Sequence, residues 1–270
     1  RRRAAQDHAA AGGRQAGACH PLQGCFQSGM RAFPDPHRRH LLCTGASTLL
    51  GLAGCAAAPV FEPAPVQVAV TPLRPGQHLR YRTTNLYNGI AVGTAHYRVA
   101  EATPDGARRI AVELPASVVE PVDGPPRTGL CRWTDPHHVQ EELFFDLPYR
   151  FGQPDRLLPP QWSLGSSPLL VNTYSRSDDS TARLRWNTRV TGEGWERIDV
   201  PAGRFLALRV HRMIWFDHPE TWRRGNVRSE RLWFAPSLGF WVRREWSGEY
   251  LVPDVRRDVR QEDRVRFELL

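Results

Sequence analysis

Arg204–Asp217 reads RFLALRVHRMIWFD. Leu206, Leu208, Val210, Ile214 and Phe216 fall on one side of this stretch, and Arg209, His211, Met213 and Trp215 on the other. A period of two marks a strand with one buried face. A helix would place its apolar residues three and four apart, and no segment of this chain sustains that spacing.

Strands extend from this one in both directions. Pro201-Ala202-Gly203 is a turn, and Ala182–Gly192 and Trp195–Val200 precede it as extended runs. Val227–Ala235 and Phe240–Tyr250 follow, joined by Pro236-Ser237-Leu238-Gly239. Val259–Leu269 ends the chain with alternating Arg260, Glu262, Arg264, Arg266 and Glu268, a pattern that protects an outer or edge strand. Nearer the start, residues 67–73 read as a first short strand. Leu79–Leu86 and Ile90–Ala102 flank Asn88-Gly89, the dipeptide of a tight hairpin. Ala107–Leu114, Thr128–Thr134 and His138–Phe145 continue the meander. Leu147–Ser180 carries Pro148, Pro154, Pro159, Pro160 and Pro168 and reads as a long Pro-rich connection with extended pieces and one short helix. The expected fold is all-β: a single antiparallel, strongly curved sheet, half-barrel or barrel-like.

Two stretches carry a resemblance. Ile198-Asp199-Val200-Pro201-Ala202-Gly203-Arg204-Phe205 fits V-x-V-P-A-G-x-F, and Leu232–Val242 fits W-[FY]-A-P-x-L-G-x-x-V. Together they resemble uncharacterised bacterial exported β-rich proteins, similar in layout to curved-sheet lipoprotein carriers of the envelope. The resemblance covers roughly residues 180–250 and implies no catalytic residue. Its motifs are structural: Gly203 and Gly239 sit where hairpins need positive φ, and Phe205 and Trp233 read as core anchors.

A second resemblance concerns address. Leu52-Ala53-Gly54-Cys55 resembles the lipobox of bacterial lipoproteins, after an apolar run from Leu41 and a basic patch at His37–His40. It implies cleavage between Gly54 and Cys55 and a diacylglycerol on Cys55, with palmitate-type acylation of the new N-terminus. The apolar core, about 14 residues, is short of the roughly 20 that a membrane span needs. Four segments are expected: residues 1–29, a non-native extension; 30–54, a signal peptide starting at Met30; 55–66, an Ala/Pro tether; and 67–270, a β-rich periplasmic domain. Ala56 after the lipid site points, by analogy with enteric lipoproteins, to the outer membrane.

The whole chain has 36 basic and 28 acidic residues, and every basic one is arginine. Residues 1–54 hold seven arginines and two aspartates, so the chain from Cys55 onward carries a net charge of only +3. Arginines alternate with acids as on a solvated strand face, and no basic face marks a nucleic-acid binder. Cys19, Cys25 and Cys43 precede the lipid site, which leaves Cys131 alone in the domain, without a disulfide framework.

The sequence carries few chemical motifs. Gly165-Ser166-Ser167-Pro168 lacks the second glycine of a nucleophile elbow. His137 and His138, with Glu141 and Glu142 nearby, would point to opposite faces of a strand and lack a third spaced metal ligand. Cys131 has no Cys–His setting. No catalytic, cofactor or metal residue is assigned, and the protein reads as a non-enzyme. Seven of nine tryptophans fall between residues 186 and 246. Their plain use is a large-residue core; their functional use is an aromatic face for an apolar ligand. Arg209, His211, Met213 and Trp215 form the candidate ligand face, suited to an amphiphile with an anionic head. The leading expectation is an envelope lipoprotein that binds a lipid-like ligand. The alternatives are a subunit that docks an envelope protein partner and, less favoured, a hydrolase.

Overall fold

The computed structural model describes residues 60–270 apart from 104–106, 119–120, 145–146, 177–180, 220–223 and 253–258. Gly54, Cys55 and the segments 1–29 and 30–54 lie outside the described residues. Thirteen strands follow in chain order: β1 (His78–Asn85), β2 (Ala91–Ala102), β3 (Arg108–Leu114), β4 (Arg127–Asp135), β5 (His138–Phe144), β6 (Leu147–Arg156), β7 (Gly165–Ser166), β8 (Leu170–Arg176), β9 (Leu184–Val200), β10 (Gly203–Phe216), β11 (Arg224–Ala235), β12 (Phe240–Val252) and β13 (Val259–Leu269).

These strands form one antiparallel sheet that closes into a barrel of twelve, with the two-residue β7 lying against β9 beyond the end of β8. Round the ring, every strand pairs with its neighbours in sequence. The ring is closed by β13 against β1, from Tyr81↔Leu269 to Asn85↔Val265. β13 is therefore no edge. Arg264, Arg266 and Glu268 point outward while Val265, Phe267 and Leu269 point in, and both sides of the strand are paired. Closure removes the free edges that such charges would otherwise protect.

Three other expectations change. Residues 67–73 form no strand. They belong to a strap over the outer wall, touched down at Glu62↔Trp195, at Thr71 N–H to Pro236 O (2.8 Å) and through buried Leu73. The two runs on either side of Glu193 are one strand, β9, with a bulge: Arg209 pairs with Gly194, but Val210 pairs with Gly192. The long connection supplies β6, β7, β8 and a 3-10 turn at Pro160–Trp162. Its prolines are tolerated because Pro148 sits at the start of β6, and Pro154 lies at a register shift where β5 leaves it unpaired.

Strand alternation puts Leu79 and Tyr81 of β1, Tyr97 and Val99 of β2, and Ile110 and Val112 of β3 inside. Arg80, Arg82, Arg98, Arg109 and Glu113 lie outside on the same strands. A charged wall round an apolar interior is the inverse of the transmembrane-barrel pattern. Trp133, Trp186, Trp195, Trp233, Trp241 and Trp246 are all buried, so the plain use of the tryptophans is what these six serve. Trp222 lies outside the described residues.

Candidate functional site

Arg209, His211, Met213 and Trp215 do share one side of β10, and that side is the outer wall, where all four are half-buried. Arg209 is already engaged there. It donates to Glu193 at 2.5 Å, lies 3.6 Å from Glu196, and has the Phe61 ring of the strap 4.6 Å from its guanidinium carbon. His211 Nε2 meets Ser229 Oγ at 2.9 Å, and burial, opposed by Glu193, lowers its basicity. Trp233 N–H donates to Glu196 beside them.

The opposite side of β10 holds a residue that alternation alone would have marked. Arg212 stands in register with Val210 and Ile214, and it is fully buried in the barrel. Five further charged residues are buried with it: Glu142 of β5, Asp155 of β6, Arg228 and Glu230 of β11, and Arg244 of β12. Arg212 donates to Asp155 at 2.6 Å and to Glu230 at 2.5 Å. Arg244 donates to Glu230 and, at 2.5 Å, to Glu142. Arg228 lies 3.6 Å from Glu230. Three guanidiniums thus face three carboxylates in one connected chain, as buried charges require.

The chain joins two aromatic groups. Arg244 sits 5.9 Å from the centre of Trp241, which packs with Tyr81, Tyr97 and Phe240. Asp155 accepts from Trp186 N–H at 3.0 Å, and Trp186 packs with Phe151, Tyr174 and Phe216. The carboxylates respond according to how many guanidiniums surround each. Burial alone would raise Glu230, but Arg244, Arg212 and Arg228 together hold it down at about 2. Burial raises Asp155, and Arg212 with two hydrogen bonds offsets this only in part. Burial lowers Arg228 to about 9, against the pull of Glu230. Beside the chain lies a cavity of about 20 Å³ lined by Tyr97, Leu143, Arg228, Arg244, Trp246 and Phe267. A single water needs about 10–15 Å³, so this space has room for no more than one.

Glu141 and Glu142 part company: the first pairs outward with Arg150 at 3.0 Å, the second inward with Arg244. His138 Nδ1 meets Asp135 at 3.0 Å, while His137 packs against Trp162, ring centres 4.5 Å apart, and burial lowers its basicity. Among the described residues no three His, Cys, Asp or Glu side chains are grouped to hold a metal. Burial pushes the Cys131 thiol up to about 12, which makes it a poor nucleophile. No family model matches the chain, and neither a curated protein nor a solved structure matches it.

Proposed function

We propose that the chain is a lipid-anchored protein of a bacterial envelope, held by Cys55 and facing the periplasm. On this reading its barrel is a docking body that meets an envelope partner with its outer wall. The observation that carries the reading is the Arg244–Glu142 pair across the interior, with a cavity of only about 20 Å³ beside it. An acyl chain needs continuous apolar space, and ligand sites for small molecules run to about 300–1,000 Å³. Opening that space here would mean parting buried ions, at several kcal/mol for each ion left alone.

The anchor half of the proposal rests on Leu52–Cys55 and on the strap. Phe61 sits on Arg209 and on Gly194, whose missing side chain makes room for the ring. Five residues lie between Cys55 and Phe61, and the six steps span at most about 20 Å of extended chain. The amphiphile reading keeps one observation, a cleft of about 290 Å³ between Val70–Leu73 of the strap and Trp133 and Pro136. That cleft suits a short apolar segment rather than a whole lipid.

Two measurements on protein extracted from its own membrane test this. Cys55→Ala should move the protein from the membrane fraction to the soluble fraction. Native mass spectrometry should show the covalent lipid and no further lipid adduct. A non-covalent lipid adduct lost on Trp186→Ala or Tyr97→Ala would return the carrier reading. A photocrosslinker at Leu130, on the outer wall, should give one discrete adduct in intact envelopes, and its absence would remove the docking reading.

A further inference from the structure

Three neighbouring strands bring a serine, a histidine and a glutamate to one place on the outer wall. Ser229 of β11 and His211 of β10 are diagonal neighbours, since Met213 is opposite Ser229 and Arg231 is opposite His211. Ser229 Oγ and His211 Nε2 meet at 2.9 Å. On the other side of His211, its β9 partner is Thr191, and Glu193 lies two residues further on. Glu193 is the residue that the β9 bulge leaves unpaired, and bulges re-aim side chains. Its carboxylate bonds Arg209 at 2.5 Å and lies 3.8 Å from Arg231, the residues that flank and face His211.

Burial lowers the basicity of His211 and Glu193 raises it, with a net fall. The imidazole is therefore neutral at neutral pH. In the tautomer protonated at Nδ1, Nε2 accepts from the Ser229 hydroxyl. Ser229 also opens onto a groove of about 320 Å³ that Leu86, Arg231 and Ser247 help to line. That volume is at the small end of the range for small-molecule sites. β11 is paired on both sides, so its backbone N–H groups are engaged in the sheet. The exposed Arg231, two residues along the same face from Ser229, supplies positive charge beside the hydroxyl instead.

We infer that this groove is a hydrolytic site for short-chain carboxylic esters, with Ser229 as nucleophile and His211 as base. Ser229 Oγ bonds to the ester carbonyl carbon while its proton passes to His211 Nε2, and the carbonyl electron pair moves onto oxygen beside Arg231. Collapse breaks the bond to the alkoxy oxygen, which leaves as the alcohol with the proton from His211. Water, deprotonated by His211, then releases the acid and restores Ser229. Glu193 positions the imidazole and favours its charged form. The inference goes beyond the docking reading and needs neither the partner nor the anchor.

The test uses the full chain with Cys19, Cys25, Cys43 and Cys55 replaced by alanine, so that no accessible thiol is acylated. The substrate is p-nitrophenyl acetate. The covalent probe is a fluorophosphonate, which bonds to a nucleophilic serine through phosphorus and releases fluoride. Peptide mass spectrometry should place the phosphonyl group on Ser229. Ser229→Ala should lose the label and lower turnover by about 100-fold or more. His211→Gln should lose as much while its melting temperature holds. Glu193→Gln should lower kcat and leave KM unchanged. Ser166→Ala on β7 should keep both label and rate. A folded protein that takes no label at Ser229, or turnover that survives Ser229→Ala, overturns the inference. An esterase whose Leu130 crosslinks never form would leave this inference standing and remove only the docking reading.

Discussion

Arg244 and Glu142 lie on β12 and β5, six strands apart on a ring of twelve, and their side chains meet at 2.5 Å. The pair spans the barrel from one wall to the other. Through Glu230 and Arg212 the same chain of ions reaches Asp155 on β6. A wide ring of antiparallel strands has only local pairings to hold its section, and this brace ties strands that no hairpin connects.

Breaking the brace on one side should therefore cost more than replacing it whole. Arg244→Met leaves Glu142 buried without its cation and should lower stability by about 3–5 kcal/mol. Arg244→Met with Glu142→Leu removes both charges and should recover more than half of that loss. Urea denaturation of the three proteins measures both numbers. A double variant no more stable than the single would show that the pair is not the unit.

Acid should reach Asp155 before Glu230, and the two should act on stability with opposite signs. Its folded pKa of about 2 lies below the ordinary 4.5, so it contributes stability that is present above pH 4.5 and lost as pH falls through about 2. The full contribution is on the order of 3 kcal/mol. Asp155 has the opposite sign, because its folded pKa is raised and protonation relieves a burial cost as pH falls. Glu230→Gln should flatten the fall of melting temperature between pH 4.5 and 2, and Asp155→Asn should steepen the fall above about pH 3.8, where folded and unfolded Asp155 differ in protonation. Melting curves across both ranges check both slopes.

What was legible in the sequence follows from what alternation can encode. Leu208, Val210 and Ile214 announced an inward face, and the strand, its hairpins and its buried tryptophans followed. Arg212 stood in the same face, but a charge there reads as part of a solvated pattern unless its partners are known. Those partners sit 57 residues away at Asp155 and 18 away at Glu230, beyond the reach of any local period. Ring closure has the same character, since Tyr81 and Leu269 carry no mark of each other. The prolines of β6 hid a strand because proline argues against a central one, and only the register shift at Pro154 makes it tolerable. With the inward phase of β11 fixed by Leu232 and Phe234, Arg228 and Glu230 fall inside by counting back in twos.

The strap gives Gly239 two separate duties. Its φ of +71° is a left-handed turn conformation, and a Cβ there would fall 1.9 Å from the carbonyl oxygen of Thr71. Gly203, at φ +130°, has open space around it. Gly203→Ala should cost backbone strain alone, about 1–3 kcal/mol. Gly239→Ala should add the loss of the Thr71–Pro236 hydrogen bond, for about 2–4 kcal/mol. Hydrogen exchange separates the two: residues 68–73 should lose protection in Gly239→Ala and keep it in Gly203→Ala.

Cys131 offers a reporter of barrel opening. It is the one cysteine among the described residues, buried on β4, with its thiol pushed up to about 12 by burial. The thiolate is the reactive form, and a thiol with that pKa holds almost none of it at pH 8. Labelling by a disulfide reagent should therefore wait for opening that exposes β4, and run at least a hundredfold slower in the native protein than in denaturant. The labelled protein is Cys55→Ala with Cys19, Cys25 and Cys43 also replaced, so that a single thiol reports. Arg244→Met should speed labelling by the same factor by which it shifts the unfolding equilibrium, because the brace it removes holds β5, the neighbour of β4. Rapid labelling of the native protein would mean that the β4–β5 wall opens locally without the rest of the barrel. An unchanged rate in Arg244→Met would mean that the brace does not limit that opening.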